Sequence, residues 1–346
     1  MGVSTGIGAL VEQICNTSVS RMEIRSKDRL SWNKDHIDRL LTTDNLQEMY
    51  TIVYGIFYLI SLLPWRVMYL ISDVIAFILN YVVGYRKKVV IANLQIAFPE
   101  KSQKERANIV KQFYRQFTDN FIEVIKLLSI SKKELNRRFV CDYSVMNDLY
   151  SSGKNVQLLL GHFFNWEFAN LAYANNLLYP FVVVYKPIES KIFGKLFSQM
   201  RKRFGTHLVA ADTFRKDFSH LSKNRFCLVL VGDQNPADPE NAYWTPFFGR
   251  MTPFVKGPEK GAKLYNAAVV MCNFYAVKRG YYKSEIKLLT TEPRSMPDGA
   301  ITQNMVSYVE ECLRRHNGNY LWSHKRWKHA FADKHKHLVV GDKQSV

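Results

Sequence analysis

His162 and Glu167 are the two residues whose types and spacing most directly suggest chemistry. The stretch His162-Phe163-Phe164-Asn165-Trp166-Glu167 sets a carboxylate five positions after an imidazole. A histidine held by a carboxylate can take a proton from a hydroxyl near neutral pH, which is general-base chemistry. The stretch follows the apolar run Val156-Gln157-Leu158-Leu159-Leu160 and Gly161. That run reads as a buried strand closed by a turn glycine, and Asn165–Leu178 reads as a helix. Positions five apart on one helix diverge by roughly 140° at about 3.6 residues per turn. The two side chains meet only if His162 lies on the turn and Glu167 on the first helical turn. The plainer alternative is a capped helix beside a chance histidine.

Other clusters join this turn. Tyr185-Lys186-Pro187 closes a second apolar run. In open α/β sheets, sites gather beyond the carboxyl ends of strands, so this loop should lie near Gly161-His162. Arg201-Lys202-Arg203 precedes Gly205. These are either favourable cations at a helix C-terminus or a clamp for a phosphate or oxyanion. Gly232-Asp233-Gln234-Asn235 ends the apolar run Phe226–Val231. Asp233 there serves as a turn former or orients a positive group. Trp244-Thr245-Pro246-Phe247-Phe248-Gly249 suits either the lining for an acyl chain or a loop plugged into the core. Tyr320-Leu321-Trp322-Ser323-His324-Lys325-Arg326-Trp327-Lys328 interleaves basic and aromatic residues. It suits nucleic acid or an anionic headgroup, or a solvated basic helix end, with His324 reading as structural. No histidine pair has helix spacing with a third ligand, so no metal is expected. No GxxxxGK[ST] or GxGxxG cradles a phosphate, and no GxSxG argues for a covalent serine. No cofactor is expected.

The elements that position these residues emerge from the rest of the chain. Its 346 residues allow a sizeable core. With 48 Lys plus Arg against 30 Asp plus Glu, the charge is +18, which predicts acidic partners. Five scattered cysteines without a CxxC fit a reducing compartment. Residues 1–48 are polar and without clean periodicity; we read them as an extension, disordered or preceding a mis-assigned start. Tyr50–Tyr85 carries only Arg66 and Asp73 as charges and is followed by Arg86-Lys87-Lys88. It reads as a membrane anchor, a tilted single span or a re-entrant hairpin. Asp73 keeps open a pair of buried soluble helices. Helices are predicted over Val89–Ala97, Lys104–Leu128 and Lys132–Phe139. Beyond them strands alternate with helices, so the fold class is α/β with a layered sheet.

In this order the motifs resemble the bacterial lipid A biosynthesis acyltransferase family, the lauroyl/myristoyl late acyltransferases, and most closely its Bacteroidetes-like branch. The similarity runs from about Tyr50 to Trp327. It includes Gly84-Tyr85-Arg86-Lys87, Asn93-Leu94 before Phe98-Pro99, the motif at 161–167, Tyr-Lys-Pro at 185–187, Arg201, Asp233-Gln234, Pro-Phe-Phe-Gly at 246–249, Lys-Arg-Gly-Tyr-Tyr at 278–282 and the Tyr320–Lys328 close. The resemblance implies a glycerolipid-acyltransferase-like sheet with flanking helices over 87–330, preceded by a membrane-embedded segment at 50–85 and followed by a tail at 331–346. It implies a bacterial inner-membrane enzyme with its site on the cytoplasmic face. The donor would be acyl-acyl carrier protein and the acceptor a phosphorylated glycolipid in an anionic membrane. Another glycolipid or aminolipid is the alternative acceptor. A basic nucleic-acid binder is the reading outside the enzyme class, and the ordered motifs speak against nucleic acid. In the mechanism so implied, Glu167 holds His162, which deprotonates the acceptor hydroxyl. Arg201, braced by Asp233, stabilises the oxyanion or the acceptor phosphate. Asn165, Trp166, Lys186, Arg203, Gln234, Phe247 and Phe248 are expected to bind substrate.

Overall fold

Pro64 parts two apolar helices, α1 (Thr43–Leu62) and α2 (Trp65–Phe77), at the start of the described chain. A computed structural model describes residues 43–341. Of the 1–48 segment, residues 1–42 lie outside the described residues, and 43–48 begin α1. α2 runs on through a wider turn, Ile78–Val82. Together Trp65–Val82 are long and apolar enough to cross a membrane, and 22% of this stretch is buried. Its inward face seats Met68 and Ser72, whereas Leu70, Val74, Phe77 and Val82 are exposed. Asp73 pairs with Arg279 at 2.7 Å and stays half exposed.

α3 (Lys87–Ala97) and α4 (Gln103–Lys126) follow. Ser102 and Glu105 form a reciprocal capping box at the start of α4, satisfying donors that the first turn leaves open. α4 then buries Phe113, Phe117 and Val124 in the core. α5 (Lys132–Arg138) starts at an N-capping Ser131 and ends on β1 (Phe139–Cys141).

The alternating part runs α6 (Ser144–Ser151), β2 (Val156–Leu160), α7 (Trp166–Asn176), β3 (Phe181–Tyr185), α8 (Lys191–Lys202), β4 (His207–Ala210), α9 (Phe214–Leu221) and β5 (Cys227–Val231). The hairpin β6 (Ala242–Phe247) and β7 (Arg250–Val255) forms a separate two-stranded sheet. α10 (Gly257–Tyr265), β8 (Ala268–Lys278), β9 (Tyr281–Thr290) and α11 (Ala300–Arg315) complete the domain. Residues beyond α11 return over β6, where His335 stacks on Trp244.

The seven-stranded sheet has the order β1-β9-β8-β2-β5-β3-β4. β8, β2, β5, β3 and β4 are mutually parallel. β9 runs antiparallel to β8 and carries β1 parallel to itself. β2 is buried at all five positions, as a central strand covered by helices on both faces must be. The fold is thus mixed α/β, with a mainly parallel sheet and flanking helices. Propensity alone misses β1 and β4, which are short edge strands, and the β6–β7 hairpin, which pairs apart from the main sheet.

Candidate active site

Strand register brings the site together. β2 and β5 are parallel with Leu160 opposite Val231. His162 and Asp233, each two residues beyond its strand, therefore leave the sheet side by side. Asp233 accepts the His162 backbone N–H at Oδ2, 3.1 Å away, and its Oδ1 lies 2.5 Å from the ring Nδ1. Both strand ends close on glycine because α11 crosses there. A Cβ on Gly232 would stand 2.7 Å from Met305 Sδ, and one on Gly161 3.2 Å from Val309.

Burial alone would raise the Asp233 carboxyl, but the charge and hydrogen bonds of His162 and the Tyr320 hydroxyl outweigh it and hold it well below the usual carboxylate range. An ionised Asp233 accepts only, so the imidazole proton resides on Nδ1. His162 Nε2 is buried and has no hydrogen-bond partner among the described residues.

Glu167 and Arg201 form a second buried pair. Glu167 lies in the first turn of α7 and Arg201 in the last turn of α8. Arg201 Nε donates to Oε2 at 2.8 Å and to Oε1 at 3.1 Å, and Nη2 also donates to Oε1. Burial opposes the guanidinium charge, but the Glu167 carboxylate more than offsets it and raises the pKa of Arg201. The Trp166 indole N–H donates to the same Oε1 at 3.1 Å, and the Trp166 ring stands edge-on to His162 at 6.2 Å.

The expected pairings are therefore exchanged. His162 is held by Asp233 rather than Glu167, and Arg201 by Glu167 rather than Asp233. His162 is on the turn and Glu167 on the first helical turn, as the spacing argument required. The helix, however, directs Glu167 toward α8, while sheet register delivers Asp233 to the imidazole.

A cavity of about 80 Å³ opens beneath these groups. His162, Trp166, Glu167, Arg201 and Tyr185 line its polar end. Leu160, Ala169, Tyr173, Phe181, Val183, Val229 and Phe274 line the rest, between α7 and the sheet.

Other expected substrate contacts fall elsewhere. Asn165 is buried with both ends of its amide engaged: Oδ1 accepts the Phe168 N–H as the α7 N-cap, and Nδ2 donates to Glu123. Arg203 donates to the carbonyls of Leu127 and Ile130, tying α8 to the end of α4. Phe247 and Phe248 do not line an acyl path. They pack into the core against Phe254, Phe98 and Trp327, because the β6–β7 turn folds inward. Lys186 is exposed beyond β3, where Tyr185 rather than Lys186 reaches the cavity, and Gln234 is half-buried beside Asp233.

The Tyr320–Lys328 segment is a packed strap, not a solvated helix end. Asn93 of α3 donates to the carbonyls of Trp322 and His324, at 2.7 Å each. Asn319 accepts the Phe164 N–H at 3.1 Å. His324 Nε2 accepts from Asn235, and burial, Arg326 and His162 push its pKa down to about 4. The buried Arg326 donates to Asn235 Oδ1 and to the Pro253 carbonyl.

Sequence reasoning missed Glu123, Asn319 and the Tyr320 hydroxyl as parts of the site. Tyr320 lay inside a recognised motif. For Glu123 the available signal was two carboxylates four apart, Asp119 and Glu123, within the apolar stretch of α4.

Comparison with known proteins identifies the family of the chain. The lipid A biosynthesis acyltransferase of Haemophilus influenzae is 24% identical over 238 residues, covering 67% of this chain and 74% of that relative. The lipid A biosynthesis lauroyltransferase of Escherichia coli is 21% identical over 280 residues, covering 79% of this chain and 89% of the relative. Among solved structures, the 1-acyl-sn-glycerophosphate acyltransferase of Thermotoga maritima aligns over 74% of this chain and 97% of its own, at 11% identity and a TM-score of 0.34, too loose a likeness to add to the argument. The family model for bacterial lipid A biosynthesis acyltransferases matches residues 40–329, from α1 through the Tyr320–Lys328 strap, so this acyltransferase chain belongs to that family.

Proposed function

We propose that the protein transfers a fatty acyl chain from acyl-acyl carrier protein to a hydroxyl of a lipid A precursor at the cytoplasmic face of the bacterial inner membrane. The observation that carries this reading is the buried His162, with Nδ1 tied to Asp233 and Nε2 unpaired at the head of an apolar cavity. Nε2 takes the proton of the acceptor hydroxyl as its oxygen attacks the thioester carbonyl. The tetrahedral intermediate then expels the carrier thiolate, which receives that proton from the imidazolium. Asp233 fixes the tautomer and stabilises the imidazolium, a role worth roughly 10²–10⁴ in rate as part of general-base catalysis. Arg201 has two of its nitrogens on Glu167, and we assign the third to the oxyanion or acceptor phosphate. An oxyanion donor contributes roughly 10²–10³. The apolar walls receive the acyl chain.

The exposed apolar side of α1 and α2 lies in the bilayer, so the acceptor reaches the site without leaving the membrane. The excess of basic residues suits an acidic carrier protein and a phosphorylated headgroup. The test is incubation of the purified protein in phospholipid vesicles with acyl-acyl carrier protein and a lipid A precursor. Mass spectrometry should show the precursor gaining one acyl chain for each free carrier thiol released, and no gain with His162→Ala. Carrier thiol release without an acylated glycolipid would refute the acceptor assignment.

A further inference from the structure

The turn that carries His162 is held from below by a carboxylate with no part in the transfer chemistry. Glu123 projects from the last turn of α4 and is buried. Three donors from three elements converge on it. Tyr69 of α2 donates to Oε1 at 2.8 Å, Tyr282 of β9 to Oε2 at 2.6 Å, and Asn165 Nδ2 to Oε2 at 2.8 Å. The other end of the Asn165 amide caps α7, the helix bearing Trp166 and Glu167. Asp233 and Asn319 hold the His162 and Phe164 N–H groups of the same turn. Glu123 is thus the third support of the catalytic turn, and the one that reaches the membrane-facing helix.

The link to α2 is a polar ladder. One turn before Glu123, Asp119 accepts from Arg279 Nε at 2.9 Å and from Ser72 of α2 at 2.6 Å. Arg279 also grips Asp73 of α2. Buried carboxylates with complete hydrogen-bond sets fix geometry, because any displacement leaves a polar group unsatisfied.

Resting on the function proposed above, we infer that Glu123 is a positioning residue. Through Asn165 it sets the turn that carries His162, Trp166 and Glu167, and through Tyr69 it registers that turn to the seating of α2. Burial pushes its carboxyl up to about 7 against the hydrogen bonds of its three donors.

A charge-swap rescue tests this in the full chain, reconstituted in vesicles. Asn165→Asp keeps an N-cap of equal quality but sets a second carboxylate against Glu123. Its kcat should fall at least 30-fold, with KM for both substrates within about threefold. Glu123→Gln alone should lower kcat about three- to tenfold, since its amide oxygen still serves Asn165 and Tyr282 while its NH₂ faces the Tyr69 oxygen. The double variant should return to the level of Glu123→Gln, because the glutamine NH₂ can then donate to the new carboxylate. A double variant as poor as Asn165→Asp, an Asn165→Asp protein with wild-type kcat, or losses confined to KM would each overturn the inference. Should Asn165→Asp fail to fold, Tyr282→Phe takes its place. It removes one donor at constant shape and should lower kcat about two- to fivefold at unchanged KM, and wild-type kcat would overturn the inference. His162→Ala separates the two levels. Activity in that variant counts against the base assignment, whereas an inactive His162→Ala protein with no rescue counts against Glu123 alone.

Discussion

Asp233→Asn replaces one oxygen by an NH₂ group and should nearly silence the enzyme. The carboxylate accepts two hydrogen bonds from His162, one from the backbone N–H and one from Nδ1. An asparagine has one acceptor and one donor. Its oxygen must keep the buried backbone N–H, because an unmet donor there costs about 1–3 kcal/mol. Its NH₂ then faces Nδ1 and forces the imidazole proton onto Nε2. The nitrogen that should receive the acceptor's proton becomes a donor. The wrong tautomer in a comparable triad lowers kcat about 10⁴-fold, equivalent to about 5.5 kcal/mol at about 1.4 kcal/mol per tenfold. We expect a loss of about 10³–10⁴ in kcat. The side chain keeps its volume and its hydrogen bonds, so the melting temperature should shift by only a few degrees. Glu167→Gln should behave oppositely in stability. It leaves the buried Arg201 charge without the carboxylate that compensates it, and breaking such a pair costs roughly 3–5 kcal/mol. The assay is single-turnover acyl transfer in vesicles, run beside thermal unfolding of both variants. An Asp233→Asn enzyme within tenfold of wild type would refute the tautomer argument, and a normal melting curve for Glu167→Gln would refute the buried-pair argument.

Four further expectations follow from the same geometry. Arg201→Lys should fall with Arg201→Ala in steady-state kcat, because lysine cannot reproduce the two-nitrogen grip on Glu167; wild-type rates in the lysine variant would return Arg201 to a helix-end cation. Gly232→Ala should destabilise by roughly 1–3 kcal/mol in denaturant titration, since its Cβ would meet Met305 at 2.7 Å and press on the Asp233 turn. Carbonate and high-salt washes should leave the chain in the membrane fraction, because salt screens charge contacts but not apolar burial; quantitative release would contradict the anchoring role of α1 and α2. Glu123 has a folded pKa of about 7 above its ordinary 4.5, so the folded protein holds this proton more tightly and the associated stability, about 3 kcal/mol, is present below pH 4.5 and lost as pH rises toward 7. Glu123→Gln should flatten that decline in unfolding experiments between pH 5 and 8, and an unchanged slope would remove Glu123 as its source.

The sequence by itself determined the strands and helices whose patterns are local. Val156–Leu160 forms at the predicted residues, the second apolar run is a strand that ends at Tyr185, and Trp166–Asn176 lies within the predicted helix, because unbroken apolar runs and a capping Asn165 carry their own signal. It also placed His162 on a turn and Glu167 in the following first helical turn. Partner choice was beyond it. His162 and Asp233 are 71 positions apart, and their contact depends on Leu160 pairing with Val231 in the sheet. A shift of one residue in that register would send Asp233 to the other face. The direction of Glu167 depends on where α8 packs against α7, and Arg203 lost its expected role because the end of α4 lies within its reach. Phe247 and Phe248 read equally well as an acyl lining or a plug until the β6–β7 turn folded inward. Composition and period describe what each segment can bury. Which side chains then meet is decided by the assembled sheet and the helices packed on it, where one carboxylate two residues from a strand end and another in a helix's first turn receive different partners.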